Sequence, residues 1–76
     1  MNNKKRNLLK KVQALLSSAL QELSTVLDDE ENCLDNTPEN LQDSDKYERM
    51  EEAISRLESA IEYIENAQDE ISEASI

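Results

Sequence analysis

The apolar residues in the first half of the chain recur at steps of three and four positions. They are Leu8, Leu9, Val12, Leu15, Leu16, Ala19, Leu20, Leu23, Val26 and Leu27. This spacing gathers apolar side chains on one face and predicts an amphipathic helix over residues 4–31. With Leu9 at heptad position a, the d positions hold smaller residues: Val12, Ala19 and Val26. Further leucines flank this stripe, so it is wider than one coiled-coil seam.

The second half follows a stricter heptad repeat, which predicts a helix over residues 44–74. Position a holds Tyr47, Ile54, Ile61 and Gln68, and position d holds Met50, Leu57, Ile64 and Ile71. Alanine returns at position g in every heptad, which adds a shallow face where another helix can approach closely. We therefore expect an oligomer interface made of Ala53, Ile54, Leu57, Ala60, Ile61, Ile64, Ala67 and Ile71. The polar Gln68 either sets the register or the oligomer state, as polar residues at position a can, or lies near a frayed end where burial is incomplete.

Residues 32–43 separate the two periodic segments and carry turn signals. Pro38 disfavours helical geometry at the residue before it and suits the first position of a new helical turn. Thr37 is the expected cap of that short turn, and Asp43 or Ser44 is the expected cap of the second helix.

The composition indicates an all-α protein. The chain has 76 residues, no Gly, Trp, Phe or His, and one Pro, and helix-favouring residues fill both long segments. Two long amphipathic helices joined by one turn predict a single domain over residues 1–76, an antiparallel coiled-coil-like hairpin. Because a chain of this size buries little on its own, we expect it to dimerise into a four-helix bundle.

Charge is separated along the chain. Residues 1–11 contain five cations and no acid: Lys4, Lys5, Arg6, Lys10 and Lys11. The remainder has three cations and all 18 acids, including the acidic run Asp28, Asp29, Glu30 and Glu31. This run opposes the helix macrodipole, so we expect the first helix to end there. In an antiparallel hairpin the basic start and the acidic end of the chain neutralise each other, and an antiparallel dimer keeps the acidic turns apart.

The residue types give no support for catalysis or for a bound metal. His is absent, so neither Cys33 nor any Ser has an imidazole base, and neither EF-hand nor di-iron patterns occur. We expect no enzyme activity and no cofactor. Cys33 is expected to be a reduced thiol, with a symmetric intermolecular disulfide as the alternative. The basic start continues into helical spacing and no apolar run is long enough to span a membrane, so a cytoplasmic protein is expected.

A net charge of −10 disfavours direct DNA binding through the main surface. It favours a basic partner, which an acidic contact edge on the second helix would meet: Glu48, Glu51, Glu58, Glu62 and Glu65. Regularly spaced carboxylates of this kind can imitate a phosphate backbone. The basic N-terminal residues instead suggest anion binding, such as a nucleotide's phosphates, or serve only as a counter-charge. Tyr63, outside the seam, is a further candidate contact residue.

The turn NTPENLQDSDKYE (residues 36–48) and the following EEAISRLESAI (residues 51–61) resemble a group of short helical-hairpin proteins of Gram-positive bacteria and their phages. The likeness is specific in the C-terminal half and is one of pattern alone in the first helix. The group offers no activity to transfer. The resemblance implies a small accessory protein of a mobile element, and such acidic proteins often inhibit host defence.

Three functions remain in view. The first is an interaction protein that blocks a host defence protein or a nucleic-acid-handling protein through its acidic surface. The second is an oligomeric sponge that holds a signalling nucleotide with the basic end of helix 1. The third is a structural assembly module with no ligand beyond itself.

Overall fold

The computed structural model describes all 76 residues and shows a hairpin of two long helices. Helix α1 spans Asn3–Asp35, a 3₁₀ turn spans Glu39–Leu41, and helix α2 spans Asp45–Ala74. The helices pack side by side in antiparallel directions and form a rod of 59 × 15 × 13 Å. The predicted all-α hairpin is confirmed.

Helix α1 is longer than predicted at its C-terminal end. It passes through the acidic run and ends at Asp35. An unfavourable charge at a helix end costs only about 0.3–1 kcal/mol, and Leu34, still on the seam, is half-buried. The side chain of Asn2 caps the other end by accepting a hydrogen bond from the Lys5 backbone nitrogen at 2.9 Å.

The caps around the turn were predicted in part. The Ser44 side chain accepts a hydrogen bond from the Tyr47 backbone nitrogen at 3.2 Å, so Ser44 caps α2 as expected. The prediction for Thr37 was wrong, because its hydroxyl donates backwards to the Cys33 carbonyl at 2.9 Å. Thr37 therefore helps to end α1, and the 3₁₀ turn begins without a side-chain cap.

The seam between the helices confirms the predicted heptad of α2 and changes that of α1. The α2 residues at positions a and d are half-buried or, for Ile54, buried. The half-buried apolar residues of α1 are Leu9, Leu16, Ala19, Leu20, Leu23, Leu27 and Leu34, and the polar Gln13 lies half-buried among them. Val12 and Val26, expected at position d, are instead 39% and 48% exposed. The wide apolar stripe allows two registers, and the observed one puts the larger leucines into the seam, which removes more apolar area from water.

Ile54 is the only buried residue of the 76. Every other seam side chain keeps part of its surface in water, because two helices cover only one side of each other. The hairpin therefore has a seam but almost no closed core.

Candidate interaction surfaces

Two glutamines form a polar layer in the seam. Gln13 Nε2 donates to the Gln68 carbonyl at 2.9 Å and to Ser72 Oγ at 3.2 Å. Gln68 Nε2 donates to the Gln13 carbonyl at 3.4 Å and to Ser17 Oγ at 3.0 Å. Gln13 Oε1 is buried without a hydrogen-bond partner. This reciprocal pairing fixes the register, so Gln68 has the first of the two roles considered for it.

Gln13 was not among the residues selected from the sequence. The signal was present, because Gln13 lies on the same helical face as Leu9, Leu16 and Leu20. It was obscured by Val12, which fits the alternative heptad equally well.

The polar layer also distinguishes the two edges of the hairpin. Ser17 and Ser72 lie on one edge, because each hydroxyl accepts from the glutamine of the opposite helix. On α1 the residues directly before Gln13, Leu20 and Leu27 lie on the other edge, with Leu8 and Leu15 beside them, and on α2 so do the alanines directly before the a residues. This second edge carries what we call the apolar flank: Leu8, Val12, Leu15, Ala19 and Val26 of α1, with Ala53, Ala60 and Ala67 of α2.

The large side chains of the apolar flank stay exposed in the hairpin, although three of its alanines are half-buried. Leu8 is 52% exposed and Leu15 is 70% exposed, and both valines of the flank are also exposed. Tyr63, which is 71% exposed, lies beside the flank on α2. These are all the large exposed apolar side chains outside the chain ends and the turn. Contiguous exposed apolar residues with polar surroundings commonly mark an interaction surface.

The predicted oligomer interface divides into two parts. Its isoleucines and Leu57 lie in the seam against α1, whereas its alanines lie at the edge of the seam. Ala53 and Ala60 are half-buried there, and Ala67 is exposed. The larger share of the unpartnered apolar surface thus comes from α1.

The five glutamates of the predicted contact edge are all exposed and follow one side of α2. They lie on the same edge as Ser17 and Ser72, opposite the apolar flank, and we call them the acidic edge. Glu51, Glu58 and Glu65 are one heptad apart, which corresponds to roughly 10 Å along the helix. None of the five forms an ion pair, since the one salt bridge of the protein joins Arg56 to Glu52 at 3.7 Å.

The acidic run occupies the last part of α1, beside an open groove of about 990 Å³ at the turn. Asp28 and Asp29 are exposed, while Glu30 and Glu31 are half-buried. Cys33 is a free, exposed cysteine at the same groove. No three His, Cys, Asp or Glu side chains are grouped in a way that would hold a metal ion.

The basic end of α1 meets the C-terminal end of α2 without forming an ion pair. Arg6 Nε donates to the backbone carbonyl of Ser75 at 3.1 Å, and none of the five N-terminal cations is within salt-bridge distance of a carboxylate. The expected neutralisation therefore involves no direct ion pair, and water solvates these long side chains instead. A polar cleft of about 380 Å³ lies here, lined by Arg6, Lys10, Gln13, Ser72 and Ser75.

Neither helix has the length and apolar character that crossing a membrane requires. No protein-family model, no curated protein and no solved structure matches the chain. The resemblance to hairpin proteins of Gram-positive bacteria and their phages therefore stays a prediction, and evidence for function has to come from the surfaces themselves.

Proposed function

We propose that the protein is a non-enzymatic binding protein that acts as a homodimer. Two hairpins pack through their apolar flanks into a four-helix bundle, and the acidic edges bind a basic site on another protein. The observation that carries this proposal is the placement of the two surfaces on opposite edges of one rod. Self-association through one edge leaves the other free.

The dimer follows from the shortage of core in a single hairpin. Complete burial of a Leu or Val side chain contributes about 1.5–3 kcal/mol, and a dimer would cover eight such residues, four from each copy. The free energy gained by burying even part of these eight side chains is comparable with the free-energy cost of association, which is about 4–15 kcal/mol. The alanines between them allow the helices to approach closely. The closed core that one copy lacks would then form between two.

Charge favours an antiparallel arrangement of the two copies. The basic residues at the start of α1 and the acidic run in its last part lie towards opposite ends of a 59 Å rod. Antiparallel packing brings each basic end near the partner's acidic run, whereas parallel packing sets like charges beside each other.

The acidic edge indicates a basic protein as the second partner. Its five carboxylates are exposed and lack ion-pair partners, and the net charge of −10 favours encounter with a basic surface. Regular spacing along a rigid helix suits a site that otherwise holds a nucleic-acid backbone. The context implied by the resemblance, a mobile-element protein that inhibits host defence, is compatible with this partner.

Affinity capture with charge-matched variants tests the acidic edge. The immobilised protein is exposed to a Gram-positive bacterial lysate, and the bound proteins are compared with those held by two triple variants. E51Q/E58Q/E65Q removes three charges from the edge, and D69N/E70Q/E73Q removes three near the end of α2. We expect the first variant to lose the captured basic protein and the second to keep it. Equal retention, or equal loss, by both variants would contradict the proposed contact surface.

A further inference from the structure

The polar cleft at the open end of the hairpin is built from both helices. α1 contributes Arg6, Lys10 and Gln13, and α2 contributes Ser72 and Ser75. None of these five lining residues is acidic, although the chain has 18 acids. A volume of about 380 Å³ is within the range of small-molecule sites. The cleft thus combines two cations with hydroxyl and amide groups.

The two cations have unused hydrogen-bonding capacity. Arg6 uses Nε for the Ser75 carbonyl, and neither Arg6 nor Lys10 forms a salt bridge. The bond to Ser75 holds the half-buried Arg6 in place, so its terminal nitrogens are positioned before any ligand arrives. A guanidinium held in this way can donate two parallel hydrogen bonds to an oxyanion.

The opposite wall of the cleft is also held in place. Ser72 Oγ accepts from Gln13 Nε2 at 3.2 Å, which leaves the hydroxyl hydrogen of Ser72 available for donation. The Gln13 amide is itself fixed by its bond to the Gln68 carbonyl. A hydroxyl donor and two cations therefore converge on one small volume.

We infer that this cleft binds a phosphate group, as free phosphate or as part of a small phosphomonoester. Arg6 and Lys10 supply the charge, and Ser72 supplies a neutral donor. Phosphate suits the set because it presents several acceptor oxygens to donors on different sides. The apolar flank lies on the opposite edge, so the site does not depend on the proposed dimer.

The acidic character of the whole protein opposes anion binding but does not remove the local attraction. Asp69, Glu70 and Glu73 are the acids nearest to Ser72 along α2, and none of them lines the cleft. All three are exposed, where water and salt screen their repulsion, whereas direct hydrogen bonds within the cleft are weakened much less.

The test is a titration followed by ¹H–¹⁵N NMR, with inorganic phosphate and with 5′-AMP as separate probes. Ionic strength is held constant with sodium chloride. We expect saturable shifts that centre on the five lining residues. R6Q/K10Q should weaken binding about tenfold or more, because the phosphate loses both of its charged hydrogen-bond donors. K46Q/R49Q, which removes two cations at the other end of the rod, should leave binding unchanged.

The outcomes separate the ligand sources. Tighter binding of 5′-AMP supports a phosphomonoester site, and tighter binding of inorganic phosphate supports a site for the free ion. If loss of the Arg6 bond to Ser75 unfolds the helix ends, the single variant K10Q replaces the double variant. Lys10 is exposed, and K10Q should weaken binding severalfold. Shifts that never saturate, or that K46Q/R49Q reduces as much as R6Q/K10Q does, would overturn the proposed site.

Discussion

Val12 and Gln13 are sequence neighbours with opposite surroundings. Gln13 lies in the seam and bonds to α2, while Val12 is 39% exposed on the apolar flank. The polar residue is inside because two donors on its amide find acceptors across the seam, which offsets the cost of removing it from water. Val12 is outside because the apolar face of α1 is wider than the strip that a single partner helix can cover.

Leu15 is the residue whose substitution tests the flank most directly. At 70% exposure it makes little contact within the hairpin, so Leu15→Glu should leave the helical content unchanged and convert the dimer to a monomer. Sedimentation equilibrium measures the mass. Leu41→Glu is the matched control, since Leu41 is also exposed but lies at the turn. A monomeric wild type, or a dimeric Leu15→Glu variant, would contradict the flank as the interface.

Ala60→Glu tests the same interface from α2. The half-buried alanine is at the edge of the seam, and a longer charged side chain there would separate the paired backbones. We expect a helical monomer, measured by circular dichroism and sedimentation. If Ala60→Glu remains dimeric, the interface does not use the alanine column.

At the scale of the elements, the contacts between the two helices are of two kinds, apolar and polar. Apolar residues supply most of the seam, and the paired glutamines form a polar layer within it, in addition to the bond of Arg6 to the Ser75 carbonyl at the open end. Such a layer specifies register at some expense in stability. Because Gln13 Oε1 has no partner, this layer is less stabilising than leucines would be.

Replacing both glutamines with leucine should therefore stabilise the hairpin. We expect Q13L/Q68L to raise the free energy of unfolding by about 1–3 kcal/mol, whereas Gln68→Leu alone should lower it by a similar amount. The single change removes the bonds that Gln68 Nε2 donates to the Gln13 carbonyl and to Ser17 Oγ, and it places a leucine beside the Gln13 amide, whose Oε1 still lacks a partner. Urea denaturation at one fixed protein concentration measures both. If the double variant is less stable than the wild type, the polar layer contributes to the free energy of unfolding as well as setting the register.

The elements also show which features a sequence pattern can and cannot predict. The α2 seam was predicted because its isoleucines and alanines differ in size and occupy separate columns. The α1 seam was not predicted correctly, because leucines and valines occupy two overlapping sets of heptad positions that are equally apolar. The position of the α1 C-terminus could not be predicted, because packing of Leu34 in the seam stabilises the helix more than the four carboxylates destabilise it. The cleft could not be predicted either, because only the register of the hairpin brings residue 6 next to residue 75.

For the whole molecule, the single buried residue indicates that the proposed dimer would contribute to the stability of the fold. If part of the core closes only between two copies, the dimer is more stable than the single hairpin, and the melting temperature rises with protein concentration. We expect a hundredfold dilution to lower it measurably, since that factor corresponds to about 2.7 kcal/mol. Circular dichroism across a dilution series measures the change. A melting temperature that is independent of concentration would indicate that the hairpin is stable as a monomer.

The opposite placement of the apolar flank and the acidic edge has a consequence for binding strength. In the proposed dimer the two flanks meet at the centre, so the two acidic edges point outward in different directions. The assembly is then bivalent. It could cross-link two copies of a basic partner, or hold a dimeric partner with an avidity far above that of one edge. Breaking the dimer would weaken partner binding even though every glutamate stayed in place.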